Sequence, residues 1–280
     1  PSIEETMTHA DAFLQDILAH PDDDAPRLIF ADWLEEQGDA ASVARAEFIR
    51  VQCAFAGGNL PQQRRAKLDR RQQQLLKQYG KEWARLICQW VNSWDFHRGF
   101  IDTVILLGDK FLNHAGQLFR RTPIQHLRLL LRFHPQDYPL GFSAGEPISI
   151  AALADNEYLR HLLSLDLRQN LLESRDVRAL VVSEYLTNLT ALNLSHNRIG
   201  DGGIRALAGA PLLRRLERLN LCGNDVGAGG LRALAHALEN LDRSTDGLCL
   251  KRLELSYDNL SAAGQRAIAD SPLLRRLVRC

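Results

Sequence analysis

From residue 162 onward the apolar positions return in one order. Leu162, Leu165, Leu167 and Leu172 flank Asn170, and Leu189, Leu192, Leu194 and Ile199 flank Asn197. Leu216, Leu219, Leu221 and Val226 flank Asn224, and Leu250, Leu253, Leu255 and Leu260 flank Asp258, an aspartate in the asparagine position. Starts at 162, 189 and 216 are 27 residues apart and the step to 250 is 34, which locates an insertion of seven near ENLDRSTDGLC. Leucines two apart share one face of a short strand, and the following stretches, GGIRALAGA and GGLRALAHAL, carry helical spacing. The pattern predicts strand, turn and helix in each unit. Units of this kind stack, because one alone cannot bury its apolar face. Weaker copies start at Ile101 (with Val104, Leu106, Asp109, Phe111, Ala115 and Phe119) and at Ile124 (with Leu127 and Leu129). The second has Arg132 in the asparagine position, followed by a Pro- and Gly-rich loop over 133–147.

Ahead of the repeats the period is helical. Phe13, Leu14, Ile17 and Leu18 share one face of a helix over 11–20 that Pro21 stops. The acidic turn Asp22, Asp23 and Asp24 offers a cap for a second helix, with Pro26 in its first turn and Gly38 as its stop. Capping and the helix dipole account for these carboxylates without a cation. A third helix over 42–56 groups Phe48, Val51 and Phe55 and ends in GGNLP. Residues 62–90 read as a long charged helix or helix pair whose apolar side is Leu68, Leu75, Leu76, Tyr79, Trp83 and Leu86. Its basic start, Arg64, Arg65, Lys67, Arg70 and Arg71, has no interleaved aromatics for base stacking and reads as a solvated flank.

The repeat template resembles the ribonuclease-inhibitor type of leucine-rich repeat. That resemblance implies an α/β leucine-rich repeat solenoid with a parallel sheet on its concave side and helices on its convex side. It would occupy residues 96–280, with about six repeats starting near 101, 124, 162, 189, 216 and 250, behind a small all-α domain over 1–95. The asparagine amide is expected to satisfy backbone groups where the chain leaves the sheet. The N-terminal helices and SPLLRRLVRC are the candidate caps. A second resemblance rests on Arg27, Leu28, Ala31, Asp32, Trp33, Leu34, Gly38 and Asp39, then Glu47, Phe48, Ile49 and Gln52. These positions are similar to the short helical repeat-companion domain found ahead of repeats in large bacterial protein families. The chain departs from that pattern in the link GDAASVARA and at Ala46, where the family has glycine. The likeness implies position and company, and carries no activity.

Composition narrows the function. The 280 residues can bury a full core, and 34 basic residues balance 34 acidic ones, so no whole-molecule field recruits nucleic acid or anionic lipid. Charged recognition has to be local. Cys53, Cys88, Cys222, Cys249 and Cys280 lack zinc-site or C-x-x-C spacing and read as reduced thiols. The nine histidines are scattered, with no H-E-x-x-H, and no Walker loop is present. GDGG at 200–203 and GAGG at 227–230 share one repeat offset and read as glycines for the turn into the helix. His196 and Cys222 fall at neighbouring offsets of adjacent strands, yet no orienting third group accompanies them, so they read as surface residues. No apolar run approaches the roughly 20 residues of a membrane helix and no leader pattern opens the sequence, so a soluble cytoplasmic protein is expected.

Recognition remains. Between the buried leucines stand Ser164, Asp166, Arg168, Asn193, Ser195, His196, Arg218, Asn220, Cys222, Arg252, Glu254, Ser256 and Tyr257. Of these, Asp166, Arg168, Asn193, Ser195, His196, Arg218, Asn220, Arg252, Glu254 and Tyr257 form the expected partner-binding set. The expectation is a non-enzymatic scaffold or adaptor, monomeric by itself, that binds a protein without cofactor, metal, nucleic acid or membrane. The alternative is a regulator of a nucleotide-dependent enzyme, or an enzyme with an unrecognised site. Titrating groups clustered in a deep pocket would favour the enzyme, and a broad polar face the binding protein. In the early units the equivalent positions include Ile105, Leu107 and Leu130, which the N-terminal helices cover or a second partner does.

Overall fold

A computed structural model describes residues 9–58, 60–131, 148–244, 247–256 and 260–279. The chain forms two compact units, one of residues 1–104 and 114–124, the other of residues 105–113 and 125–280. Arg132, the 133–147 loop, Tyr257, Asp258 and Cys280 lie outside the described residues.

The first unit opens with four helices, α1 (His9–Ala19), α2 (Ala25–Glu36), α3 (Ala40–Ala56) and α4 (Gln62–Trp83). Pro26 sits in the first turn of α2 as its fixed φ suits, and Gly38, at φ 75°, ends that helix in the left-handed region. The acidic turn divides its labour. Asp23 accepts the Ala25 amide at 2.8 Å, while Asp24 makes no cap and pairs with Arg98 at 3.0 Å. Asp39 caps α3, accepting from the Ala41 and Ser42 amides at 3.0 Å each. The long helix stops at Trp83 instead of running on to 90, and Leu86, expected on its apolar side, is 56% exposed.

Two strands follow, β1 (Ser93–His97) and β2 (Phe100–Leu107), neighbours joined by the two-residue turn Arg98-Gly99. Both turn residues have positive φ, 50° and 84°, as the tightest hairpin turns require. Helix α3 is built around this turn: Gln52 accepts the Gly99 amide at 3.0 Å, and a Cβ on Gly99 would lie 2.6 Å from Ile49 Cγ1. Ile49, Ala31, Leu34, Ala46, Cys53 and Phe100 share one buried cluster, and Phe48, Ala44 and Leu75 share another. Several of the companion-like motif residues are therefore accounted for by packing and capping. Asp32 and Glu35 each hold Arg50 at 2.7 Å, and Glu47 grips Arg71 in a fork at 2.7 and 2.6 Å. Arg45 lays its guanidinium over the rings of Trp83, Phe100, Phe96 and Phe48, at 4.7 to 5.8 Å from the centroids. Burial pushes that guanidinium down to about 9.

After α5 (Gly108–Phe119), which contributes to both units, the second unit carries the repeats. Its strands are β3 (His126–Leu130), β4 (Ser164–Asp166), β5 (Ala191–Asn193), β6 (Arg218–Asn220), β7 (Arg252–Glu254) and β8 (Val278–Arg279). Each pairs in parallel with the next. The helices between them are α6 (Ile150–Ala154), α7 (Ser174–Val181), α8 (Gly200–Ala208), α9 (Ala228–Asp242), α10 (Ala262–Asp270) and α11 (Pro272–Leu277). The 27-residue period becomes register: Leu165, Leu192, Leu219 and Leu253 are partners strand to strand. Each is 2% exposed or less, contributing about 1.5–3 kcal/mol from burial. Most of the seven-residue insertion lengthens a helix, since α9 has 15 residues against the 9 of α8.

Asparagine closes the turns that leave β4, β5 and β6. The Asn197 amide donates to the carbonyls of Leu167, Leu194 and Ser195 at 3.0, 2.8 and 3.3 Å. Its oxygen accepts the amides of Asn170 and Leu172 at 2.9 and 3.0 Å, so one side chain joins two repeats. The residue just before each asparagine is left-handed, with φ 58° at Gln169, 55° at His196 and 65° at Gly223. The glycines after it correct the turn reading given above. Gly203 lies inside α8, where a Cβ would be 2.1 Å from Ile199 Cγ2, so close packing requires it; in GDGG only Gly200 is left-handed, at φ 57°.

Candidate functional site

Parallel register sorts the outward strand positions of the second unit into rows. One runs His126, Ser164, Ala191, Arg218, Arg252, and the next runs Arg128, Asp166, Asn193, Asn220, Glu254, Arg279. Arg168, Ser195 and Cys222 follow two residues beyond the second row.

These side chains are partly committed to the fold. Asp166, Asn193 and Asn220 each turn a side-chain oxygen back to the backbone amide two residues on, of Arg168, Ser195 and Cys222, at 3.0 Å in these three repeats. This local turn is what Asp and Asn do wherever a strand ends. Ser195 is 3% exposed, so the expectation that it faces a partner is corrected; its carbonyl accepts the Gln169 amide at 3.0 Å. His196 is exposed, and its amide meets the Cys222 carbonyl at 2.7 Å, so these two residues are joined through backbone. Tyr257 lies outside the described residues.

The charges fall into small groups. Asp166 lies 3.1 Å from Arg168. Glu254 accepts from the Asn220 side-chain Nδ2 at 2.5 Å and stands 3.9 Å from Arg252. Arg128 reaches Gln169 at 3.5 Å. Arg218 is exposed and has no side-chain partner among the described residues. The structure thus brings Asp166 to Arg168, and Asn220 and Arg252 to Glu254, while Asn193 stands between the two groups. Arg279 was missed by the sequence reading. A signal was available, since PLLRRL occurs twice, at 211–216 and at 272–277, and each copy leads into a strand.

Among the described residues no group of three His, Cys, Asp or Glu side chains is placed to hold a metal ion, and no helix is long and apolar enough to cross a membrane. An open groove of about 710 Å³ lies on the helix side, where Val181, Val182 and Leu212 are among its apolar lining residues, beside Arg178, Arg205 and Arg215. The phosphate-loop likeness of GAGG is filled from within, because Asp201 accepts the Gly227 amide at 2.6 Å.

Residues 185–208 and 214–235 match the family model for the leucine-rich repeat, in the two units that start at 189 and 216. A search of curated proteins finds no match to the chain.

Proposed function

We propose that this leucine-rich repeat chain is a non-enzymatic scaffold or adaptor that holds a partner protein on the outward face of β3 to β8. On this reading the face is the concave side of a solenoid of the ribonuclease-inhibitor type, and the N-terminal helices are a repeat-companion module. The supporting observation is the register itself. Polar side chains stand in rows across successive parallel strands, interrupted at Ala191 in the first, and the described residues of those rows offer a broad hydrogen-bonding and charged surface. Leucine-rich repeats commonly serve protein–protein contact, and a stacked array presents that contact over a wide area.

The test compares capture of a partner by the native chain and by two charge-reversed variants. Arg168→Glu with Arg252→Glu changes the strand face, and Arg178→Glu with Arg232→Glu changes the helix side. Loss of capture confined to the first pair, with native circular dichroism in both, is the expected result. Loss confined to the second pair would move the interaction to the helices.

A further inference from the structure

Arg218 and Arg252 are direct partners in the parallel register of β6 and β7. Neighbouring strands lie about 4.8 Å apart, and like charges placed opposite each other cost stability. Among the described residues the pair is relieved only in part. Glu254 is held by the Asn220 side-chain Nδ2 at 2.5 Å and only approaches Arg252, at 3.9 Å, while Arg218 has no acidic partner among the described residues. A second carboxylate among the described residues of the face, Asp166, is occupied by the Arg168 backbone amide and guanidinium at 3.0 and 3.1 Å. Ala191, the next position in the row, is small and adds no charge beside Arg218, which is exposed.

We propose that Arg218 and Arg252 form a carboxylate clasp that recognises an acidic segment of the partner protein. This rests on the reading of the strand face as the interaction surface and deepens it. Two adjacent guanidiniums match a carboxylate in shape and charge, each able to donate a forked pair of hydrogen bonds. Arg128 and Arg279, at the two ends of the neighbouring row, extend the positive character along the strand order. A polypeptide bearing spaced carboxylates fits better than a nucleic acid. The described residues of the face offer no aromatic ring for a base to stack on, and Asp166 and Glu254 interrupt any continuous path for phosphates.

The clasp predicts opposite effects on stability and binding. Arg218→Glu replaces a repulsive neighbour pair with an attractive one, so the melting temperature holds or rises. The same change weakens binding of a short fluorescein-labelled peptide of alternating glutamate and serine by about tenfold or more, read by anisotropy on the full chain. Arg218→Gln and Arg252→Gln give the same loss of binding without a new charge, and serve if a glutamate variant does not fold. Binding of that peptide equal in native and variant chains overturns the clasp, as does tighter binding of a single-stranded oligonucleotide of matched charge. If a captured partner still maps to the strand face while the acidic peptide does not bind, the clasp fails and the broader reading stands. If capture maps to the helix side, the broader reading fails.

Discussion

The Asp201 carboxylate, in the first turn of α8, accepts the amide of Gly227, the residue that caps α9, at 2.6 Å. One repeat thereby caps the helix of the next. Asp201→Ala is expected to lower stability by about 1 kcal/mol, the usual cost of a lost cap. Gly230→Ala should cost more, about 1–3 kcal/mol, because its Cβ would lie 2.8 Å from Asp201 Oδ1 and 3.2 Å from Asp201 Cα. Far-ultraviolet circular dichroism in denaturant measures both, and unchanged midpoints would contradict the cap. The choice of probe matters, since all four tryptophans, Trp33, Trp83, Trp90 and Trp94, belong to the first unit.

The asparagines should not be equal. Asn197 makes five hydrogen bonds that span two repeats, whereas Asn224 donates to Leu194, Leu221 and Cys222 and its buried oxygen has no partner among the described residues. Asn197→Ala strands several buried backbone groups and is expected to cost about 3 kcal/mol or more, with Asn224→Ala clearly milder. Equal losses in chemical denaturation would show that the acceptor side of the ladder contributes nothing.

Tryptophan fluorescence reports the hairpin of the first unit. Gly99→Val combines a left-handed φ of 84° with a Cβ 2.8 Å from Ile49 Cα, which is backbone and cannot swing aside. A loss of about 2 kcal/mol or more is expected. Gln52→Ala leaves the Gly99 amide buried without its acceptor and should cost about 1–3 kcal/mol. Native midpoints in both variants would remove the hairpin from the unit's stability.

Burial, and after it the charge of Asp24, pushes the Cys53 thiol up to about 12. Below its ordinary value of 9.0 the thiol is neutral folded or unfolded, and its favourable contribution is fully present. Above that, the unfolded chain releases a proton that the folded chain keeps, so stability falls as pH climbs from about 9 towards about 12. Cys53→Ala should flatten that slope. A thiol reagent at neutral pH should label the exposed Cys88 and Cys249 and spare Cys53 until the chain unfolds; prompt labelling of Cys53 would contradict its burial.

The repeats were legible because their signal is periodic: a 27-residue step fixes which leucines become partners, and Leu165, Leu192 and Leu219 follow it. The Arg98-Gly99 hairpin was not, since an arginine at φ 50° has no local signature and is held by distant groups, Asp24 and the Asp22 carbonyl. The strand face was legible in outline only. Alternation marks Asn193 and Ser195 alike as outward, yet Asn193 is half-buried and Ser195 is buried. The Arg218 and Arg252 pairing also depends on spanning the seven-residue insertion, which lengthens α9 and leaves the strand register intact.

The most direct measurement places a photo-cross-linking residue at Ser164 on β4 in one chain and at Arg232 on α9 in another, with a captured partner bound. Adducts from position 164 and none from position 232 are the predicted result. Adducts from position 232 alone would contradict the assignment of the interaction to the strand face.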